Sequence, residues 1–427
     1  MGAYAMASSR AADTGVAEHR AAGGLLTRPP LAAALATAVP AASAAHSPVR
    51  QQPRAEPDFG PNVRVFGPGG PAVDIAAALA AAERSGNPYT VLLRPGGYDT
   101  DLRVGSCTSV YGLGPHPDDV TVTGAVRWAG EDSAPDDSWW PAENLTCAEV
   151  GGVRPGAAVP ARRVHLRGTH SSPAGPGHRP DGPPAAAPAG GPPSREKPFL
   201  YLDEAGGYRV FLPALRHAGA GPTGGGGRPH GSSVPLDRFF VARPGDSVRA
   251  LNKALSQGRH LLLTPGVHRL AGTIRVKWAG TVVLGLGHTV LTPLQGAAPM
   301  TVADARGVRI AGLLFDAGSA EPPVLLEVGA RRGGRTDPRE PASLHDVFFR
   351  VGAAGPGLVV NSDNVLLDHV RAWPAGPGAA PGVVVHGDHV RATGPFAADL
   401  PRDGVLADSR PGRTVVRSEP SPSQGAV

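Results

Sequence analysis

The 427-residue chain has little of what usually organises a soluble protein. It holds two cysteines, which excludes a disulfide-dense scaffold. Aromatic residues make up 5% and charged residues 18%, so neither a coiled coil nor an array of long salt-bridged helices fits. Lysine is almost missing: Lys197, Lys253 and Lys277 are the only ones among 41 cationic residues. The arginines are scattered. Their densest group, Arg331, Arg332 and Arg335, lies in a glycine-rich loop with no interleaved aromatics. The net charge of +5 therefore does not describe a nucleic-acid surface. The apolar run from Leu31 to Ala45 is too short to span a bilayer, so no membrane role is expected.

What is abundant is glycine and proline, 59 and 47 residues, and part of the chain is expected to lie outside any packed fold. Residues 1–50 read as a targeting leader. Arg20 and Arg28 precede the Leu31 to Ala45 stretch, and Ala42-Ser43-Ala44 has the small-x-small form of a signal-peptidase site, so a secreted, extracellular protein is expected. In that setting Cys107 and Cys147 permit one disulfide; the alternative is two unpaired thiols. Asn144-Leu145-Thr146 matches a glycosylation sequon and reads as a surface turn.

Two long-range repeats set the architecture. Val91-Leu92-Leu93-Arg94-Pro95-Gly96 returns as Leu261-Leu262-Leu263-Thr264-Pro265-Gly266, and Val110-Tyr111-Gly112-Leu113-Gly114 returns as Val283-Leu284-Gly285-Leu286-Gly287. A short amphipathic helix precedes each copy, Pro71 to Arg84 and Asp246 to Leu255, with Asp246 expected as the N-cap of the second. Within the second copy, Val359 to Val365 matches Val384 to Val390 at a period of about 25 residues. Aligned on Val283, Ile310, Leu344, Leu367 and Ala392, short apolar strands recur at that spacing. This pattern predicts an all-β fold, a right-handed parallel β-helix in two tandem modules, each with a short N-terminal capping helix. The expected organisation is a leader at 1–50, a first module at 62–166, a low-complexity linker at 167–195, a connector hairpin and loop at 196–235, a second module at 236–396 and a disordered tail at 397–427.

The stretch from Val241-Ala242-Arg243-Pro244-Gly245-Asp246 through Leu261 to Gly266, Val282 to Gly287 and Gly312-Leu313-Leu314-Phe315-Asp316 resembles secreted bacterial proteins with a pectate-lyase-like β-helix, related to glycoside hydrolase family 55. The resemblance extends over roughly residues 62–166, 195–215 and 236–395. It implies two tandem β-helices, activity on a β-glucan or related polysaccharide, and a catalytic acid late in the second β-helix. Related proteins carry more coils around 167–195 and after Phe396, so the chain reads as a shortened member, and no catalytic residue is carried over from the family.

The aligned coils yield candidates of their own. His345 stacks on Asp368, and Asp346 on His369, one coil apart. In a groove, an aspartate with a raised pKa could act as general acid, oriented by a histidine; a polar ladder at a coil corner is the structural alternative. Strand alternation would put only one of the two pairs on the outer face. Asp363 and Asp388 also stack, as solvated turn residues or, with Asn361 and Ser362, as a calcium site; no metal or cofactor is otherwise expected. Trp278 and Trp373 are candidate sugar platforms or core fillers. The expected function is a secreted, monomeric, glycoside-hydrolase-like protein with polysaccharide as its partner. A non-catalytic polysaccharide-binding or inactive β-helix is the alternative.

Overall fold

The computed structural model describes residues 56–105, 107–128, 142–151, 162–166, 193–216, 230–330, 336–393 and 405–407. They belong to one compact unit, Pro53–Val427. The expected leader, nearly all of the linker, the Arg331, Arg332 and Arg335 group and most of the tail lie outside the described residues.

Each apolar run becomes a short strand because a Pro-Gly or Gly-Leu-Gly step stops it. Tyr89–Leu93 ends before Arg94-Pro95-Gly96, and His260–Leu263 before Thr264-Pro265-Gly266. Strands of successive coils pair in parallel and form a right-handed β-helix in two stacks. Antiparallel ladders belong to the connector, Phe199–Leu202, Tyr208–Pro213 and Gly231–Pro235. In the second stack Val283, Ile310, Leu344, Leu367 and Ala392 stand in one column, each the register partner of the next. On another face Ile274, Met300, Leu326, Leu358 and Val383 form a second column. The strands of that face bury their first and third residues and leave the middle one less covered, the period-two pattern of a sheet with one wet side. Each fully buried Val or Leu contributes about 1.5–3 kcal/mol, and stacking makes the burial continuous.

Helix α1, Ala72–Ser85, seals the first stack with Ile75 and Leu79 and ends at Gly86 in the left-handed region. Helix α2, Val248–Ser256, seals the second with Leu251, Ala254 and Leu255. Its N-cap is Ser247, whose hydroxyl accepts from the Ala250 N–H at 3.2 Å, and not the expected Asp246. The Asp246 carboxylate instead accepts from the Arg243 N–H at 2.7 Å and closes the Pro244-Gly245 turn. Asn252 on α2 meets the first edge of the next sheet: its amide donates to Thr273 O and its oxygen accepts from Arg275 N, both at 2.8 Å. An exposed strand edge is thereby covered by one side chain.

Runs such as Val91-Leu92-Leu93 and Leu261-Leu262-Leu263 do not alternate because both of their faces are buried. Leu92, Tyr111 and Leu113 of the first stack share one apolar cluster with Leu262, Leu284 and Leu286 of the second, and the connector adds Leu200, Leu202, Val210 and Leu212. The stacks therefore meet along a dry seam. Thr90 donates its hydroxyl to Leu286 O across it, and Asn62 donates to Pro265 O. Gly112 and Gly285 lie at this seam for a steric reason: a Cβ on either would stand 1.9 Å from the carbonyl oxygen of the next coil, Asn144 O or Gly312 O.

One open alternative closes and one local expectation changes. Cys107 and Cys147 are not joined in a disulfide, and burial pushes the Cys147 thiol up to about 12. Asn144 is not on a surface turn. It lies in the wholly buried strand Ala142–Cys147, and its amide donates to Gly112 O and Gly114 O at 2.8 and 2.6 Å.

Candidate functional site

Strands Arg309–Asp316, Ala342–Val351 and Val365–Pro374 each bend in the middle. The bend falls at Gly312, Asp346 and His369, with φ of +66°, +51° and +53°. Register pairing skips these positions and resumes on either side of them. The first stack bends the same way at Asn144 and Arg163, with φ of +58° and +54°. Glycine, asparagine and aspartate tolerate the left-handed region best, which explains much of this column. A left-handed residue also resets strand alternation. His345 and Asp346 are chain neighbours, yet both turn toward the seam, so the expectation that only one His/Asp pair could face outward does not hold.

Both pairs converge on cations supplied from elsewhere. Arg162, on strand Arg162–Leu166 of the first stack, places Nε 2.8 Å from Asp346 Oδ1 and Nη2 2.9 Å from Asp368 Oδ2. Lys197 of the connector lies 3.3 Å from Asp346 Oδ2 and 2.5 Å from Glu143 Oε2. His369 Nδ1 is 3.0 Å from Asp346 Oδ1, and His345 Nδ1 is 3.3 Å from Asp368 Oδ2. The network ties first stack, connector and second stack together at one point. Its centre is dry: the side chains of Asp346 and His345 are 0% exposed and that of Lys197 4%.

Burial alone would raise both aspartates. The Arg162 guanidinium, with Lys197 and His369 beside Asp346 and with His345 beside Asp368, more than reverses that and holds both carboxyls well below the usual range. The expected raised carboxyl is thus absent from this cluster; Asp346 and Asp368 are fixed as carboxylates. His345 and His369 are lowered from 6.5, mainly by burial and against the pull of their aspartates. The arrangement holds charge and position firmly and offers no ready proton.

These shifts share one sign. A histidine lowered in the folded state contributes stability that is present above its unfolded value and lost as pH falls, and a lowered aspartate does the same further into acid. His260 and His268 are lowered as well. The melting temperature is therefore expected to fall continuously as pH drops from about 7 to about 5, because the unfolded chain takes up protons that the folded histidines refuse. Thermal scans across that range check it; a rise toward acid is the contrary result.

The remaining sequence candidates separate. Trp373 is half-buried, its ring 6.2 Å from Phe348, which sits edge-on to His369 at 5.0 Å. Trp278 is 58% exposed on the turn after Ile274–Val276. Asp363 accepts the Asp388 N–H at 2.7 Å, and Asn361 donates to Gly329 O, so these residues brace coil corners. Among the described residues, no group of three or more His, Cys, Asp or Glu is placed to hold a metal ion. Arg162, Lys197 and Glu143 were not among the sequence candidates. The column Gly312, Asp346, His369 was a usable signal for the bend, since glycine marks a left-handed position. Nothing in the repeat announces Arg162.

The fold and seam define a two-stack, pectate-lyase-like β-helix protein. Residues 239–417 match the family described as the LAM55 pectate lyase-like domain. The chain is 34% identical, over an alignment 485 positions long, to an exo-beta-1,3-glucanase of Streptomyces sp. (strain SirexAA-E / ActE), covering 93% of this chain and 80% of that one. The solved structure of sacteLam55A from Streptomyces sp. SirexAA-E superimposes with a TM-score of 0.61 at 31% identity, covering 79% of this chain and 76% of that one. A variant of sacteLam55A in complex with glucose gives 0.66 at 32% identity with the same coverage. The chain belongs to this LAM55 family of glycoside hydrolase family 55.

Proposed function

We propose that the protein hydrolyses β-1,3-glucan from a chain end, acting on polymer outside the cell. The observation that carries this reading is the 34% identity to an exo-beta-1,3-glucanase, which runs over 93% of the chain and so spans both stacks and the seam. The glucose complex of a related structure supports a sugar-binding role for the same architecture. The leader-like residues 1–50 support export.

Glycosidases need one carboxyl group that is protonated before the bond breaks. Asp346 and Asp368 do not meet that need, because Arg162 keeps both ionised. In this reading they and the two histidines are positioning residues that fix the second stack against the first. Trp373, beside the Phe348 and His369 rings, is the better placed of the two tryptophans to bear a sugar ring near the seam. Binding of the polysaccharide without hydrolysis is the second reading, favoured by the absence of a proton-donating carboxyl in this cluster.

Incubation with soluble β-1,3-glucan tests the proposal. Release of glucose as the main product is expected. Asp346→Asn is expected to lose stability and activity together, without the displaced pH profile that loss of a proton donor gives. Retention of the glucan with no glucose released would establish the second reading.

A further inference from the structure

Where the two stacks begin, the surface holds a cleft of about 840 Å³. Three parts of the chain line it: Glu56 to Asp58 ahead of the first stack, the connector tip from Ala205 to Tyr208, and the strand Phe239–Ala242 that starts the second stack. The volume falls in the range of ligand clefts, roughly 300–1,000 Å³, and such clefts favour junctions between folded parts. No residue of the Arg162 network lines it.

The charges around the cleft cancel, three arginines against three acids. Arg94 is paired with Glu56, which also accepts the Tyr208 hydroxyl. Arg243 Nη2 lies 2.6 Å from Asp58 Oδ2. Arg259 and Asp237 complete the set, and among the described residues neither has an ion-pair partner. Arg259 donates from Nη2 to Phe239 O, while its Nε is buried with no hydrogen-bond partner. Its guanidinium carbon stands 5.7 Å from the centroid of the half-buried Phe240 ring.

This lining suits a particular chemistry. Without net charge it gives no advantage to a phosphate or a uronate. The paired guanidiniums and carboxylates hold one another in place and keep further donors and acceptors at fixed positions. A pyranose ring presents vicinal hydroxyls at its rim and apolar C–H faces, which match fixed polar groups beside an aromatic ring. We propose that this cleft binds a neutral oligosaccharide stretch of β-glucan, with Arg259 and Asp237 hydrogen-bonding its hydroxyls and Phe240 against a sugar ring. The choice of β-glucan among neutral glycans rests on the hydrolase reading above; the class of ligand does not. The cleft would hold the polymer at a place apart from bond cleavage.

Electrophoresis of the full chain through gels containing soluble β-1,3-glucan tests this. The parent is expected to be retarded. Arg259→Met removes one charged donor and should weaken the apparent affinity about tenfold. Ala205→Leu, at the exposed connector tip, adds bulk inside the cleft and should weaken it as well; it carries the test if Arg259→Met does not fold. An unretarded parent, retardation unchanged in a folded variant, or stronger retardation by polygalacturonate than by the neutral glucan would overturn the proposal. Glucose release, read on the same samples, reports on hydrolysis alone. Release with unchanged retardation would sink the cleft and leave the hydrolase reading standing. Weakened retardation without release from the parent would support the cleft and sink that reading.

Discussion

Arg162→Met is expected to lower the unfolding free energy by about 3–5 kcal/mol, the usual cost of removing one partner from a buried ion pair. The magnitude follows from what is left behind. Asp346 is wholly buried and Asp368 largely so, and Arg162 bridges both at 2.8 and 2.9 Å. Without it, Asp346 keeps Lys197 at 3.3 Å, while Asp368 loses the guanidinium that does most to hold its carboxyl down and keeps His345 at 3.3 Å. Denaturant unfolding monitored by circular dichroism measures the loss. Arg162→Lys should recover only part of it, because an ammonium cannot present two parallel donors to two carboxylates.

Gly285→Ala is the second large effect. The new methyl would stand 1.9 Å from Gly312 O and 2.9 Å from the Gly312 carbonyl carbon. Neither can withdraw easily, because Gly312 is itself at the left-handed bend, with φ of +66°. Overpacking of this kind costs about 1–3 kcal/mol, and the obstacle here is backbone, which places the expected loss at the upper end. Gly97→Ala is the matched control. Its Cβ would meet nothing within 4 Å, so a change within about 0.5 kcal/mol is expected. Unfolding midpoints of both variants against the parent decide the matter.

The long-range order of this fold was legible because a β-helix repeats its chemistry. The column from Val283 to Ala392 can be aligned by eye, and the structure pairs it link by link. Pro-Gly and Gly-Leu-Gly steps marked where strands stop, for steric reasons that act locally. The N-cap of α2 was missed by one residue because Asp246 and Ser247 are both good caps, and the turn at Arg243 claimed the aspartate. The bend at Asp346 was missed because a strand was assumed to alternate throughout. That assumption split two His/Asp pairs that the structure joins.

Half of the site could not be read in the same way. Coil spacing brought His345, Asp346, Asp368 and His369 together, since they lie one coil apart in one stack. Arg162 and Lys197 come from another stack and from a connector, at separations no repeat encodes. Their arrival changes the chemistry, since carboxyls that look like proton donors when read alone are ionised once a guanidinium bridges them. The sequence pattern therefore indicated which acids cluster but could not indicate their protonation state.

A double-mutant cycle between Arg162 and Asp368 tests the central claim most directly. If the two stacks are clamped through this bridge, Arg162→Met and Asp368→Asn will be strongly non-additive in unfolding free energy, with a coupling of about 1–3 kcal/mol. Losses that sum to within about 0.5 kcal/mol would show that the two side chains act independently, and the clamp would be contradicted.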